Sequence, residues 1–275
     1  MGVFKKKKVV IDETIEIHND SKDADKDADK KGAMDYVTPK EIGKLDMVIA
    51  FDTTGSMAAY IDAVRKEIAD LIPRLFKDNG DLRLGMVAFG DYCDMPSAGK
   101  FGKAYQCVMP TDNENALIKF VKNAADTCGG DGDEFYELVL DKIVNETPWR
   151  EDSTRSILLI SDANPHPLGY TYRDRVVGNQ IDWRKVAEQA ASMNIKIDTV
   201  TITDASWYRE LSAMTNGVSV PFRSGYKTAR LVEASVMSKG SAEARRKWDM
   251  MYDACDDFEM REVYRCYEKY RKESK

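Results

Sequence analysis

Four short and almost uninterrupted apolar runs constrain the fold of this chain more than any other feature of its sequence. Each run is seven or eight residues long and rich in β-branched side chains. Strands of this kind are typically buried on both faces, as in a parallel sheet that is covered by helices. The runs are LDMVIAF (45–51), LRLGMVAF (82–89), TRSILLIS (154–161) and IKIDTVTI (195–202).

Segments with helical periodicity lie between these runs. In residues 58–76 the apolar side chains fall on one stripe, which predicts an amphipathic helix. Asp182 is typical of a helix N-cap, and the pair Asn216 and Gly217 is typical of a C-cap. Further helices are predicted at 113–125, 134–145, 182–194 and 226–237. The alternation predicts an α/β fold, with a doubly wound, mostly parallel central sheet flanked by helices.

The two ends of the chain differ in character from this regular middle part, residues 45–239. Residues 1–44 form a charged N-terminal extension and linker, in which 9–17 is a candidate strand and 21–31 a low-complexity, solvated stretch. Residues 240–275 carry apolar side chains at roughly helical spacing in a highly charged segment, which predicts a C-terminal helical extension. This extension either packs back on its own domain or binds a partner or a second copy.

Charge and hydropathy exclude two classes of partner. The net charge is −6, and the acidic excess falls in residues 45–239, because both ends hold equal numbers of basic and acidic residues. Nucleic-acid binding needs a basic surface, so DNA and RNA are not expected as partners. No apolar run approaches the roughly 18 residues of a membrane span. The N-terminal MGVFKKKK also lacks the apolar stretch of a secretory signal.

The cysteines indicate a reducing compartment. Five of them are scattered along the chain without a CxxC pair, and only two histidines accompany them, so a zinc site is not expected. Scattered thiols of this kind are typical of cytoplasmic proteins. We therefore expect a cytoplasmic protein with reduced cysteines.

Oxygen-bearing side chains follow the first apolar run. Asp52, Thr54 and Ser56 occupy alternate positions just before the predicted first helix. One carboxylate and two hydroxyls form a hard-oxygen set, which suits Mg²⁺, Mn²⁺ or Ca²⁺ better than zinc. Because ligands bind beyond the carboxyl ends of parallel strands, Asp162, which follows the third run, is expected at the same place.

A glycine-rich loop, CGGDGDE (128–134), leads into the predicted helix 134–145. Its glycines let the backbone approach a ligand closely, and either Asp131 or Asp133 can face that ligand. Asp91 and Asp94 either rim this site or, as we expect, lie in an exposed turn. His166, which lies between two prolines, is expected to be a loop residue and not a ligand.

Taken in chain order, residues 52–56, the loop 128–134 and Asp162 resemble the von Willebrand factor A (VWA) family and its metal-ion-dependent adhesion site. The resemblance covers about residues 45–239 and implies the Rossmann-like fold of that family. The first family motif, Asp-x-Ser/Thr-x-Ser, is matched by Asp52, Thr54 and Ser56. The last motif, an Asp after a strand, is matched by Asp162. The stretches AFGDYCD, GGDGDEF and SDANPHP are most similar to the intracellular and bacterial branch, which is typified by the VWA domain of alpha-kinase proteins.

The middle position of the family site departs from the usual pattern. The family usually has Thr there, whereas Asp131 is the aligned residue in this chain and Thr127 is the alternative. A further carboxylate beside Asp52 and Asp162 would neutralise more of the charge of the cation. The departure therefore implies tighter metal binding and weaker attraction for an incoming acidic group. Such a metal is either partly structural or held by Asp131 through water.

The resemblance implies a non-enzymatic, metal-dependent protein–protein interaction module. Mg²⁺ is the expected cation, and the expected partner is a protein that offers a carboxylate to the metal at the carboxyl ends of the sheet. One alternative is a structural or assembly component that self-associates through residues 240–275. Another is a metal-dependent phosphoryl-transfer enzyme that uses Asp52. Phosphatases with such a nucleophile need a second Asp two residues on, where Thr54 stands, and the chain lacks a GxxxxGK[ST] loop.

Overall fold

Eight β-strands are present in the part of the chain that the computed structural model describes, residues 43–222 and 228–269. They are β1 (Leu45–Asp52), β2 (Leu82–Phe89), β3 (Tyr105–Thr111), β4 (Asp133–Glu134), β5 (Thr154–Ser161), β6 (Asn164–Pro165), β7 (Ile195–Thr201) and β8 (Ser219–Pro221). Six of them form a central sheet in the order β3-β2-β1-β5-β7-β8, and β4 pairs with β6. The N-terminal extension with its candidate strand 9–17 lies outside the described residues.

The sheet is mostly parallel, which confirms the predicted fold class. The four apolar runs are its four inner strands, β1, β2, β5 and β7, and only β3 runs antiparallel to its neighbour. The sequence pattern does not predict the two edge strands. Most of β3 is half-buried or exposed, and it contains Pro110, so it lacks the apolar signature of an inner strand. β8 has only three residues.

Eight α-helices cover the two faces of the sheet in the described residues. They are α1 (Ala58–Asp78), α2 (Glu114–Asn123), α3 (Tyr136–Glu146), α4 (Trp183–Ser192), α5 (Ser206–Met214), α6 (Thr228–Lys239), α7 (Ala242–Asp253) and α8 (Phe258–Cys266). Helices α3, α4 and α5 pack on one face, and the others pack on the opposite face. The Asp182 carboxylate caps α4, as predicted. None of these described helices is long and apolar enough to cross a membrane.

Strand β1 shows how the sheet divides the core. Its side chains alternate between the faces: Met47, Ile49 and Phe51 pack with α1, whereas Val48 and Ala50 pack with α3. Each of these residues is 2% exposed or less. Burial on both faces stabilises the strand by about 25 cal/mol for each Å² of apolar surface removed from water. The end of β1, where the predicted ligands begin, is therefore held in a fixed position.

The C-terminal extension packs back on its own domain, which was one of its two expected roles. It forms two helices, with a break at residues 254–257, in place of one continuous helix. Trp248 and Tyr264 are buried in the same core as α1. As a result α6 is buried along most of its length, including Lys239, whose ammonium group pairs with the buried carboxylate of Asp198.

Candidate metal centre

The loop after β1 brings the first three predicted ligands together. Asp52 is fully buried, and its Oδ1 accepts hydrogen bonds from Thr54 N and Thr54 Oγ1, at 2.8 and 2.7 Å. The hydroxyl oxygens of Thr54 and Ser56 lie 3.2 Å apart. A short 3₁₀ turn, Gly55–Met57, then leads into α1. The three side chains therefore meet at the carboxyl end of the sheet, as their alternate spacing predicts.

Tyr136, the first residue of α3, connects this loop to the loop after β5. Its hydroxyl donates to Asp52 Oδ2 at 2.6 Å and accepts from Ala163 N at 3.2 Å. Burial raises the pKa of Asp52 to about 7; hydrogen bonds from Thr54 and Tyr136 oppose this effect, and the charge of Asp162 adds to it. Because both carboxylate oxygens already accept hydrogen bonds, Asp52 is suited to fixing the position of the Thr54 hydroxyl.

Glu134 contributes a carboxylate that the sequence pattern does not reveal. It lies at the end of the glycine-rich loop and is only 3% exposed. A Cβ atom on Gly129 would lie 2.7 Å from Glu134 Oε1 and 3.4 Å from Thr54 Cβ, so the glycine makes room for this carboxylate beside the first loop. Glu134 Oε2 is buried without a hydrogen-bond partner. Burial first, and then the nearby charges of Asp52 and Asp91, raise the pKa of Glu134 to about 10.

Asp162 reaches the same place from the loop after β5. Its side chain is half-buried, and its Oδ1 is buried without a hydrogen-bond partner. Burial raises the pKa of Asp162, and a hydrogen bond with the Ser56 side chain opposes this rise. This hydrogen bond, together with the effect of its charge on Asp52, places Asp162 beside the first loop, where the sequence predicts it.

The chemistry of this donor set suits a small divalent cation. It supplies only oxygen atoms, which is the chemistry that Mg²⁺ prefers. In the part of the chain that the structure describes, no lysine or arginine forms an ion pair with any of its three carboxylates. Neighbouring buried carboxylates repel one another, and the unpartnered oxygens of Glu134 and Asp162 lack the donors that buried groups normally have. A bound cation would relieve both penalties. The candidate ligands are Thr54, Ser56, Glu134 and Asp162, and Asp52 positions the first loop beneath them.

The two sequence-based candidates for the middle position have other neighbours. Asp131 is exposed, and its carboxylate accepts from the Tyr170 hydroxyl at 3.0 Å and from the backbone N two residues on at 3.1 Å. The Thr127 hydroxyl is buried and lies 3.0 Å from the hydroxyl of Thr53. The place beside the first loop is taken by Glu134, three residues after the aspartate that the sequence favours.

The turn after β2 anchors the glycine-rich loop, and the prediction that it is an exposed turn is wrong. Asp91 is fully buried. The carboxylate of Asp94 accepts hydrogen bonds from the backbone N of Cys128 at 2.9 Å and of Gly129 at 3.2 Å. His166, expected as an ordinary loop residue, is also buried. These positions were misjudged because their burial depends on loops that are distant in sequence.

Comparison with known proteins identifies the family of this fold. No curated protein sequence matches the chain significantly. A crystal structure of an aerotolerance-related membrane protein from Bacteroides fragilis NCTC 9343, with multiple mutations to serines, is similar over 70% of this chain and 98% of its own, at 13% identity and a TM-score of 0.48. The family model of the von Willebrand factor type A domain matches residues 46–227, more than half of the chain. The protein therefore belongs to the VWA family.

Proposed function

We propose that this protein is a metal-dependent protein-interaction module. Domains of the VWA family generally mediate interaction or adhesion, and they commonly bind a divalent cation. In this proposal Asp52 fixes the first loop, and Mg²⁺ is held by Thr54, Ser56, Glu134 and Asp162. The observation that carries it is the pair of buried, unpartnered carboxylate oxygens on Glu134 and Asp162, beside two hydroxyls. Glu134 replaces Asp131 in the middle position.

Charge sets how strongly such a site attracts a partner. With Asp52, Glu134 and Asp162 ionised, a divalent cation leaves one net negative charge. A carboxylate from a partner therefore gains less than it would at a site with two acidic residues, and further contacts must support it. Leu168 and Val177, 58% and 82% exposed on the loop after β6, offer apolar surface for such contacts.

Calorimetric titration with Mg²⁺ tests the metal site. Wild type should bind one Mg²⁺, and Glu134→Gln or Asp162→Asn should each weaken binding by at least about tenfold, because each removes a charged ligand. Asp131→Asn is the matched control, since it removes the same charge from the same loop. It should change the affinity by less than about threefold, because an exposed charge is well screened. A large loss in Asp131→Asn, or none in Glu134→Gln, would contradict the assignment.

The interaction is tested on the immobilised protein. A partner captured in Mg²⁺ should be released by a chelator, because the cation supplies part of its binding site. Glu134→Gln should fail to capture that partner, and Asp131→Asn should capture it as wild type does. Equal capture in Mg²⁺ and in chelator would show that the partner binds a different surface.

The alternative functions have less support. In the described part of the C-terminal extension, residues 240–269, little apolar surface is available for self-association, because Trp248 is buried in the core, although Met250 and Phe258 remain exposed. Light scattering tests it: a dimer that is lost on replacing Met250 and Phe258 by Ser would favour this role. Phosphoryl transfer by Asp52 is disfavoured because this carboxylate is fully buried and both of its oxygens accept hydrogen bonds.

A cytoplasmic location also belongs to this proposal. None of the five cysteines, all of which lie in the described residues, forms a disulfide. This is typical of a reducing compartment. The similarity to the alpha-kinase branch of the family rests on the sequence motifs alone. The acidic middle part of the chain supports a protein partner and not a nucleic acid.

A further inference from the structure

Three loops meet beside the candidate Mg²⁺ site and bring two aspartates and a histidine together. Asp91 follows β2, Asp131 lies in the glycine-rich loop, and His166 follows β6. The last two loops lie side by side because β4 pairs with β6, with Asp133 opposite Asn164. One ligand atom from each of Asp91, Asp131 and His166 lies within 4.8 Å of the other two.

Neighbouring groups fix the orientation of these side chains. His166 Nε2 lies 2.7 Å from Asp91 Oδ1. The Tyr170 ring stacks on the imidazole, with centroids 3.7 Å apart, and its hydroxyl donates to Asp131 Oδ2 at 3.0 Å. The backbone N of His166 donates to the buried Glu137 carboxylate at 3.1 Å. Outer contacts of this kind are what hold metal ligands in place in known sites.

Two polar atoms of this cluster lack a strong hydrogen-bond partner in the described residues. Asp91 is 0% exposed and His166 is 2% exposed, yet Asp91 Oδ2 and His166 Nδ1 have no nitrogen or oxygen hydrogen-bond partner there. The Cys93 thiol, a weak donor beside the Asp91 carboxylate, offers it a further hydrogen bond. A buried polar atom left unpaired costs about 1–3 kcal/mol, so such atoms usually meet a water or an ion. Gly130 faces this oxygen, since a Cβ atom there would lie 3.4 Å from it. Within residues 43–222 and 228–269, no lysine or arginine forms an ion pair with Asp91 or Asp131.

We propose that Asp91, Asp131 and His166 form a second cation site, which takes a divalent first-row transition metal such as Zn²⁺ or Mn²⁺. One imidazole nitrogen and two carboxylates suit these metals, whereas the oxygen-only site suits Mg²⁺. Three protein ligands leave a coordination position for water or for a group from a partner. The sequence predicts no zinc site, because scattered cysteines and two distant histidines match no zinc motif; this site needs a single histidine and two aspartates.

Calorimetric titration with Zn²⁺ in saturating Mg²⁺ tests the second site. Wild type should bind one Zn²⁺. Asp131→Asn and His166→Gln should each weaken this binding by at least about tenfold, because each removes one of three ligands. Glu134→Gln should weaken Mg²⁺ binding by at least about tenfold and keep its Zn²⁺ affinity, so failure of one site is distinguishable from failure of the other.

Two controls complete the experiment. Cys93 lies beside Asp91 and Gly130, so Cys93→Ser tests for capture of Zn²⁺ by a thiol, and it should bind Zn²⁺ as wild type does. Asp131 is exposed, so Asp131→Asn should fold normally, which thermal unfolding in chelator checks. Wild-type Zn²⁺ affinity in both Asp131→Asn and His166→Gln would overturn the proposal, and so would complete loss of binding in Cys93→Ser.

Discussion

Glu134→Gln should have opposite effects on stability with and without Mg²⁺. In the metal-free protein burial and neighbouring charges raise the pKa of Glu134 from its usual 4.5 to about 10. At pH 7 the unfolded chain therefore ionises this group and the folded chain does not. At roughly 1.4 kcal/mol per pKa unit between 4.5 and 7, this difference costs about 3 kcal/mol. Gln has a similar shape without the charge, so the substitution should raise the free energy of unfolding by up to that amount.

The pH dependence of the metal-free protein follows from the same shift. Because the folded pKa lies above the unfolded one, the contribution of Glu134 to stability is greatest below pH 4.5 and falls as the pH rises towards about 10. In chelator, wild type should lose stability between about pH 5 and pH 8, and Glu134→Gln should lose less. Burial also raises the pKa values of Asp52 and Glu137 to about 7, so these two groups contribute to the slope of stability against pH that remains in the variant.

In saturating Mg²⁺, wild type should be more stable than Glu134→Gln, the reverse of their order in chelator. A ligand at 100 times its Kd stabilises the folded state by about 2.7 kcal/mol, and Glu134→Gln should lose most of this gain. Urea unfolding at pH 7, in Mg²⁺ and in chelator, measures both effects. Asp131→Asn is the control, and its free energy of unfolding should stay close to that of wild type in both buffers. If Glu134→Gln lowers the stability equally in both buffers, Glu134 has a packing role and the reasoning is refuted.

Three further predictions concern the surrounding structure. Lys239→Met removes the ammonium group that pairs with the buried Asp198 and should lower the free energy of unfolding in urea by about 3–5 kcal/mol; a loss below about 1 kcal/mol would contradict the importance of this pair. Asp94→Ala removes the acceptor for two amides of the glycine-rich loop and should weaken Mg²⁺ binding about tenfold in calorimetry, whereas unchanged affinity would show that the loop keeps its shape without it. Burial raises the pKa of Asp46, but hydrogen bonds from the Arg83 side chain and from the backbone N and side chain of Arg150 outweigh it and lower the pKa on balance. The stability that Asp46 contributes is therefore present above its usual pKa of 3.8 and is lost as the pH falls through the lowered value. Wild type should be more stable than Asp46→Asn at neutral pH, and this difference in the free energy of unfolding should disappear in acid, as measured by circular dichroism.

The inner strands could be predicted because their burial leaves a local pattern. The run 45–51 is apolar on both faces, and the structure buries it between two layers of helices. The positions of Asp52, Thr54 and Ser56 follow from the same pattern, since Asp52 ends the strand and the other two lie in the short connection to the next helix. In this part of the site, proximity in space comes directly from proximity in sequence.

Glu134 and Asp91 could not be predicted, because their surroundings form only when distant loops meet. Glu134 carries one signal, a carboxylate at the end of a glycine-rich loop directly before an apolar helical segment. That signal also fits an acidic residue in the first turn of a helix, which the macrodipole favours. Asp91 looks like a turn residue until the loops that carry Gly130 and His166 cover it. The sequence therefore favours one of the two aspartates of the glycine-rich loop for the position that our proposal gives to its glutamate.

The burial of α6 beneath the C-terminal helices limits how this domain can be transplanted between proteins. The family match ends at residue 227, immediately before α6 begins at Thr228. A gene fusion at that point would strip one face of the sheet and α1 of their apolar cover, and large bare apolar surfaces lead to aggregation. Any sequence joined there would have to supply apolar helices that cover the same face of the sheet. The smallest portion that evolution could shuffle intact therefore reaches into α8, well past the boundary of the family motif.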